Sequence, residues 1–152
     1  MIVRRALVLV SAGVVATGSV VVLAMSPAAA GDDDEWRTDL TGAAERPGPG
    51  DPDGSGTARV RIREDEGEVC YRLRVQDIGP ATAAHIHIGR AGAPGPVVVP
   101  LQAPTDDGRS QVCEPIDADI AQDILADPSG YYVNVHNAEF GPGALRGQLG
   151  SR

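Results

Sequence analysis

The chain has 152 residues, of which 42% are hydrophobic, and its formal charge at pH 7 is −8. This length allows one domain and a leader, and it excludes a multidomain enzyme. The acidic balance argues against a nucleic-acid partner, because a phosphate backbone attracts basic surfaces.

A signal peptide is predicted over residues 1–30. Arg4 and Arg5 precede an uncharged apolar run, and three alanines close that run, which predicts cleavage after Ala30. An uncleaved membrane anchor is the alternative, since the run is about 20 residues long. Cleavage would remove two arginines and no acids, changing the charge from −8 to −10. We therefore expect a protein that is secreted or held in the cell envelope, with no membrane segment after cleavage.

Short strands separated by turns are predicted after the leader. Residues 31–35 form an acidic, solvated start, and residues 42–56 carry too much Pro and Gly for a helix or an interior strand. Beyond them, apolar and polar residues alternate, as in strands with one buried face. Strands are predicted at residues 57–63, 68–75, 83–88, 97–101, 109–113, 131–136 and 144–149, with an eighth candidate at 36–41. This pattern is typical of an all-β sandwich or barrel.

One helix is predicted among the strands, from residue 118 to 126. Asp117 is its expected N-cap, Ile120 and Ile124 lie one turn apart on one face, and Asp127 with Pro128 ends it. It would serve as a lid or a crossover.

Cys70 and Cys113 are the only cysteines, and a single pair in an exported chain predicts one disulfide. Both lie on the outward faces of their predicted strands, so the bond would join neighbouring strands from the solvent side. Closing a loop of about 44 residues would stabilise the fold by roughly 4 kcal/mol in the chain-entropy model. The alternative is a thiolate metal site or a catalytic cysteine, but oxidation outside the cell removes the thiolate that both require.

The turn at residues 64–67 predicts a hairpin between the strands on either side of it. Several arginines lie on the outer face of this hairpin. If Arg63 pairs with Glu68, then Arg59 lies opposite Arg72. The face consists of Arg59, Arg61, Arg63, Arg72 and Arg74. It is either a solvated surface balanced by acidic loops or a surface that binds an anion.

The three histidines form the candidate metal site. His85 and His87 bracket Ile86, so their side chains point the same way from Cα atoms about 6.7 Å apart. His136 follows Val135 in the same manner. If strands 83–88 and 131–136 are neighbours, three neutral imidazoles could meet on the polar face, a set that suits copper or zinc.

Asn134, Arg146 and Gln148 are the expected polar groups around that site. The alternative is that the histidines are structural hydrogen-bonding residues or simply face solvent. No nucleophile–base pair, phosphate loop or paired carboxylates stand out, so no catalytic residue is predicted.

Two segments carry a resemblance to a known family: residues 84–101, AHIHIGRAGAPGPVVVPL, and residues 130–149, GYYVNVHNAEFGPGALRGQL. They resemble the chordin-type domain (CHRD domain), found in secreted bacterial proteins and in the animal growth-factor antagonist chordin. The likeness runs from about Trp36 to Gly150, within a domain assigned to residues 36–152. It implies an immunoglobulin-like β-sandwich or barrel and no established biochemical activity.

A fainter resemblance is to Cu,Zn superoxide dismutase, another β-sandwich. Its copper site has a His-x-His strand, a later strand histidine and a near-terminal arginine, and here His85, His87, His136 and Arg146 occur in that order. Residues 88–135 contain no histidine, so the bridging ligand and the zinc subsite are absent. The resemblance therefore implies at most a three-histidine copper centre.

Two functions remain open from the sequence. The first is a non-catalytic extracellular module that binds an unknown ligand or protein, or has a structural role, and for which the sequence specifies no cofactor. The second is a copper protein with metal-handling or dismutase-like activity that uses His85, His87 and His136.

Overall fold

The computed structural model describes residues 35–150. The predicted leader, its cleavage point at Ala30 and residues 31–34 lie outside the described residues. The strands are β1 (Glu35–Thr41), β2 (Ser55–Arg63), β3 (Glu68–Gln76), β4 (Ala81–Ile88), β5 (Val97–Leu101), β6 (Arg109–Pro115), β7 (Tyr131–Asn137) and β8 (Leu145–Gln148), and the helix is α1 (Ala118–Ala126). Each strand lies within two residues of its predicted bounds. The all-β fold with one short helix is confirmed.

The eight strands form a single antiparallel sheet in the order β5-β4-β7-β8-β1-β2-β3-β6. Only Thr41 and Arg146 pair between β1 and β8, so this narrow seam divides the sheet into two four-stranded halves. The backbone N–H of Gln102, which directly follows the edge strand β5, donates to the hydroxyl of Tyr71 on β3, next to the opposite edge, over 2.7 Å. The sheet is therefore curled, with its two ends brought near each other.

The core lies on the inner face of the curled sheet. Strand alternation directs one set of aliphatic side chains inward from each half, as the sequence pattern predicts. Buried members include Val60, Leu73, Ile86, Val133, Val135 and Leu145. Burying an aliphatic side chain of this size contributes about 1.5–3 kcal/mol, so this set supplies much of the stability of a small domain.

Helix α1 connects the edge strand β6 to β7, which makes it the predicted crossover. The Asp117 carboxylate caps its start by accepting the N–H groups of Asp119 and Ile120, over 3.0 and 3.3 Å. Ala121 and Ile124 are buried against the core. No helix within residues 35–150 has both the length and the apolar character to cross a membrane.

The predicted hairpin and disulfide are both confirmed. In the β2–β3 pairing, Arg63 lies opposite Glu68 and Arg59 opposite Arg72. Cys70 lies opposite Cys113 in the β3–β6 pairing, and their sulfurs are bonded, with the Cα atoms 4.0 Å apart. The bond lies on the outer side of the sheet, where Cys113 is exposed.

Candidate metal centre

The pairing of β4 with β7 brings the three histidines together. His85 lies opposite Asn134, and the preceding outward position on β4, Ala83, lies opposite His136. His85 and His136 are therefore diagonal neighbours on one face, and His85 Nδ1 is 3.1 Å from His136 Nε2. One ring nitrogen from each of His85, His87 and His136 lies within 4.8 Å of the other two. The cluster that strand parity predicted is present in the fold.

Gly95 holds the ring of His87. His87 Nδ1 donates to the Gly95 carbonyl over 2.8 Å, and the Gly95 N–H donates to the Tyr132 hydroxyl over 3.2 Å. The Tyr132 ring stacks on the His87 ring, with centroids 4.8 Å apart and planes 9° from parallel. A Cβ at residue 95 would lie 1.6 Å from the Ile88 carbonyl oxygen, so this close approach of two backbones requires glycine.

Backbone carbonyls also fix the tautomers of two rings. His136 Nδ1 donates to the Gly141 carbonyl over 2.8 Å, as His87 Nδ1 does to Gly95. In the neutral rings this leaves the lone pair on Nε2 of both histidines. Nε2 of His87 is buried and has no hydrogen-bond partner. A ligating histidine typically has this arrangement, with one nitrogen held by a carbonyl and the other free.

His85 completes the cluster through its Nδ1 atom. Because Nε2 of His136 carries a lone pair, His85 Nδ1–H donates to it when no metal is bound. Moving the His85 proton to Nε2 would expose a third lone pair beside the other two.

The surroundings favour neutral rings. Burial lowers the pKa of His85, and the neighbouring His136 and His87 lower it further. Burial is also the largest cause of the lowered pKa of His87, which the carbonyl of Gly95 partly offsets. Both imidazoles are therefore unprotonated at neutral pH, the state in which they bind metals.

The polar face that carries the histidines is covered at one end: His87 is buried, whereas His85 and His136 are half-buried. Arg146 is 1% exposed, and its guanidinium donates to the carbonyls of Ala93 and Arg90, each over 2.9 Å. Its central carbon lies 3.4 Å from the centroid of the Tyr132 ring. The Gln148 amide nitrogen lies 2.8 Å from the Gly89 carbonyl. Both side chains thus fasten residues 89–96 over the face, a long-range contact that strand parity does not report.

Asn134 is buried on the same face, between His85 of β4 and Arg146 of β8. It is 2% exposed, and its Oδ1 atom is buried without a hydrogen-bond partner. Its position opposite His85 makes it a polar neighbour of the three rings, as the sequence predicts. Asn134 lies opposite His85, and the charge of Arg146 acts on His87. Gln148 instead donates to the carbonyls of Gly89, Ser129 and Tyr131.

The histidine cluster fits a small transition-metal ion. At metal–nitrogen bonds of 2.0–2.1 Å, ligand nitrogens stand about 3.3–3.6 Å apart. The His85–His136 separation of 3.1 Å is already close to that spacing, and a limit of 4.8 Å for the whole set leaves shifts of roughly 1 Å. Within residues 35–150, a second group combines Glu68 with the two cysteines, but the disulfide withholds both thiolates.

Comparison with known proteins supplies the family. A protein-family model, the CHRD domain, matches residues 36–149. The chain belongs to the CHRD domain family. No curated protein and no solved structure matches it. The part of the chain matched to the CHRD domain includes the three histidines, both cysteines and Arg146.

Three structural features of this CHRD domain were not predicted from its sequence. Tyr132 shares outward parity with Asn134 and His136, so alternation could have found it. The bonds from His87 and His136 to the carbonyls of Gly95 and Gly141 could not be predicted, because the acceptors are backbone atoms. Buried Glu45 lies in a Pro- and Gly-rich loop, and nothing local indicates that its carboxyl group is enclosed.

Proposed function

We propose that this CHRD domain is a secreted, non-catalytic module that binds one transition-metal ion through His85, His87 and His136. Copper is the ion that we expect it to prefer. The observation that carries the proposal is the convergence of the three ring nitrogens within 4.8 Å. The carbonyl contacts of His87 and His136 support it, because they direct the free Nε2 lone pairs of both rings into the cluster.

The donor set favours copper. In residues 35–150, the cluster contains three imidazole nitrogens and no carboxylate or thiolate, which disfavours magnesium and calcium. Among divalent first-row ions such nitrogen sites bind Cu²⁺ most tightly, with Zn²⁺ below it. When bound, copper would supply a redox-active centre, whereas the residues themselves supply only neutral nitrogen ligands.

The proposal stops at binding, although the order of His85, His87, His136 and Arg146 resembles the superoxide dismutase copper site. An arginine that attracts an anionic substrate needs a guanidinium open to solvent. Arg146 is 1% exposed and holds the carbonyls of Ala93 and Arg90. Its place in this fold supports a structural role, namely keeping residues 89–96 over the histidines.

Export is part of the proposal. The leader at residues 1–30 supplies the route. A CHRD domain with a Cys70–Cys113 disulfide is consistent with an extracellular location, since such bonds persist in oxidising compartments.

The second candidate is a CHRD module that binds no metal. It is favoured by the His85–His136 hydrogen bond of 3.1 Å, which is also how structural histidines satisfy one another. In that case the cluster would stabilise β4 against β7 and nothing more.

A metal titration separates the two candidates. Protein made without a histidine tag and freed of metal is titrated with Cu²⁺ and with Zn²⁺ by calorimetry, and the copper-loaded sample is examined by electron paramagnetic resonance. We expect one Cu²⁺ per chain, with hyperfine splitting from imidazole nitrogens.

His136→Gln is the informative variant, because glutamine retains hydrogen bonding at residue 136 but is a poor metal ligand. We expect it to fold and to bind Cu²⁺ at least about 100-fold more weakly. Gln122→Ala, which removes an exposed side chain of α1 away from the histidines, should retain stoichiometric binding. Folded wild-type protein that takes up no stoichiometric copper at micromolar concentration would refute the metal proposal and leave the structural module.

A further inference from the structure

The outer face of β1, β2 and β3 concentrates positive charge on an acidic protein. The chain has a formal charge of −8, yet this face carries five arginines. We call Arg37, Arg59, Arg61, Arg72 and Arg74 the arginine face; they are outward-facing and exposed or half-buried. Among the outward positions of β1 to β3 that are aligned with these arginines across the strands, only Glu35 and Asp39 are acidic.

The strand register places like charges directly opposite each other. Arg37 lies opposite Arg59 on β2, and Arg59 lies opposite Arg72 on β3. Like charges in facing positions destabilise a sheet, so this row of three arginines costs stability in the free protein. Neighbouring strands are about 4.8 Å apart, which puts three guanidinium groups within reach of one extended ligand.

Few acids offset this charge. Arg59 forms an exposed ion pair of 3.5 Å with Glu35, and Arg72 is hydrogen-bonded to the neutral Gln111 over 3.0 Å. Within residues 35–150, no ion pair joins Arg37 or Arg74 to a carboxylate. The guanidinium groups remain available to an outside anion.

The arginine face also has a shape that can receive a ligand. A depression of about 270 Å³ is lined by Arg37, Thr57, Arg59, Arg72 and Arg74 and by no acidic residue. A second depression of about 280 Å³ shares Arg59 and Arg72 with it and extends towards the disulfide; it is also lined by Arg61 and by one acidic residue, Glu35. The two form a continuous, shallow cationic surface across three strands.

We propose that the arginine face binds an acidic polysaccharide through its sulfate or carboxylate groups. Planar guanidinium groups bind such oxyanions in pairs of parallel hydrogen bonds. The first depression is lined by no aromatic and no apolar side chain. Tyr71 and Val112 border the second, but Tyr71 is buried and Val112 is half-buried. Neither depression therefore has an exposed ring on which bases could stack or an exposed apolar anchor of the kind that dominates protein interfaces. An extended chain with regularly spaced anionic groups is the partner this chemistry fits.

Binding measurements with two polymers test the proposal. Purified protein is titrated with heparin, which is sulfated, and with polygalacturonate, which carries carboxylates only, at about 50 and 200 mM NaCl. We expect binding to at least one polymer, with an affinity that falls as salt rises. The polymer bound more tightly identifies sulfate or carboxylate as the preferred group.

The test variant is Arg59→Gln with Arg72→Gln, and the matched control is Arg46→Gln with Arg90→Gln, which removes two exposed charges elsewhere. We expect the test variant to bind at least about tenfold more weakly and the control to stay within about twofold of wild type. Because the facing like charges are gone, the thermal midpoint of the test variant should equal or exceed that of the wild type. This separates lost recognition from lost folding.

Three results would overturn the proposal. The first is a folded wild-type protein that binds neither polymer at the lower salt concentration. The second is equal weakening by the test and control pairs, which would reduce the effect to net charge. The third is tighter binding of polyglutamate or single-stranded DNA than of both polysaccharides at the same salt, which would assign the face to another class of partner.

Discussion

Glu45 is a carboxyl group that the fold encloses. It is 2% exposed, and its Oε1 atom is buried without a hydrogen-bond partner. Burial raises its pKa to about 7, against the opposing effects of the Arg46 N–H and the charge of Arg146. The carboxyl is therefore largely protonated at mildly acidic pH in the folded protein and ionised in the unfolded chain. This difference makes stability depend on pH.

We expect Glu45 to lower stability as pH rises from 4.5 to about 7. In this window the folded state holds a proton that the unfolded state has released, so the free energy of unfolding falls with pH, by about 1–3 kcal/mol in total. Glu45→Gln should remove that loss, so its stability advantage over wild type should grow with pH across the window. Urea unfolding at several pH values measures the difference.

Glu139→Gln, in an exposed loop, is the control for Glu45→Gln. The lowered pKa values of His85 and His87 make the free energy of unfolding rise with pH. Comparing each variant with wild type at the same pH cancels this contribution. A Glu45→Gln advantage that stays constant from pH 4.5 to 7.5 would contradict the assignment.

At the scale of the strands, most of the correct predictions came from the alternation of apolar and polar residues. It located the eight strands, the faces of the histidines and the outward cysteines, because side-chain direction in a strand depends only on residue parity. It did not indicate which segment lies over β4 and β7. Residues 89–96 cover part of their polar face through Arg146 and Gln148, which follow them by some 50 residues. Strand parity cannot predict such a long-range contact.

The disulfide between β3 and the edge strand β6 gives a test at this scale. It closes a loop with a sequence separation of 43. Replacing Cys70 and Cys113 together with serine should lower the free energy of unfolding by roughly 4 kcal/mol, because the unfolded chain gains conformational entropy. Chemical denaturation compares the variant with wild type.

Reduced wild-type protein is the control for the cysteine variant and should lose a similar amount of stability. Copper binding below the unfolding temperature should persist in both, since the disulfide lies between β3 and β6 and the histidines lie on β4 and β7. A loss below about 1 kcal/mol would show that the bond adds little constraint.

In the whole molecule, the two halves of the curled sheet present different outer faces. The half formed by β5, β4, β7 and β8 gathers three histidines and buries His87, Asn134 and Arg146. The half formed by β1, β2, β3 and β6 leaves its arginines and the disulfide open to solvent. The proposed metal site and the proposed polyanion-binding surface therefore share no residues.

The predicted leader can be tested on the full-length chain. Expressed with its leader, the protein should appear outside the cytoplasm with an N-terminus at Gly31, because small residues precede the cleavage point at Ala30. Intact mass and N-terminal sequencing measure this. Replacing Ala28 and Ala30 with leucine should block cleavage. Recovery of the uncleaved wild-type chain in the membrane fraction would instead establish the anchor.

The residue order was enough to specify an all-β chain, its strand faces, the disulfide partners and the three candidate ligands. Each of these follows from a short-range regularity: a period of two, a single cysteine pair, a His-x-His spacing. The distances between imidazole nitrogens, their tautomers, the cover held by Arg146 and the enclosure of Glu45 came from the folded chain. They depend on backbone groups such as the Gly95 and Gly141 carbonyls, whose position is set by long-range packing and leaves no mark on neighbouring residues.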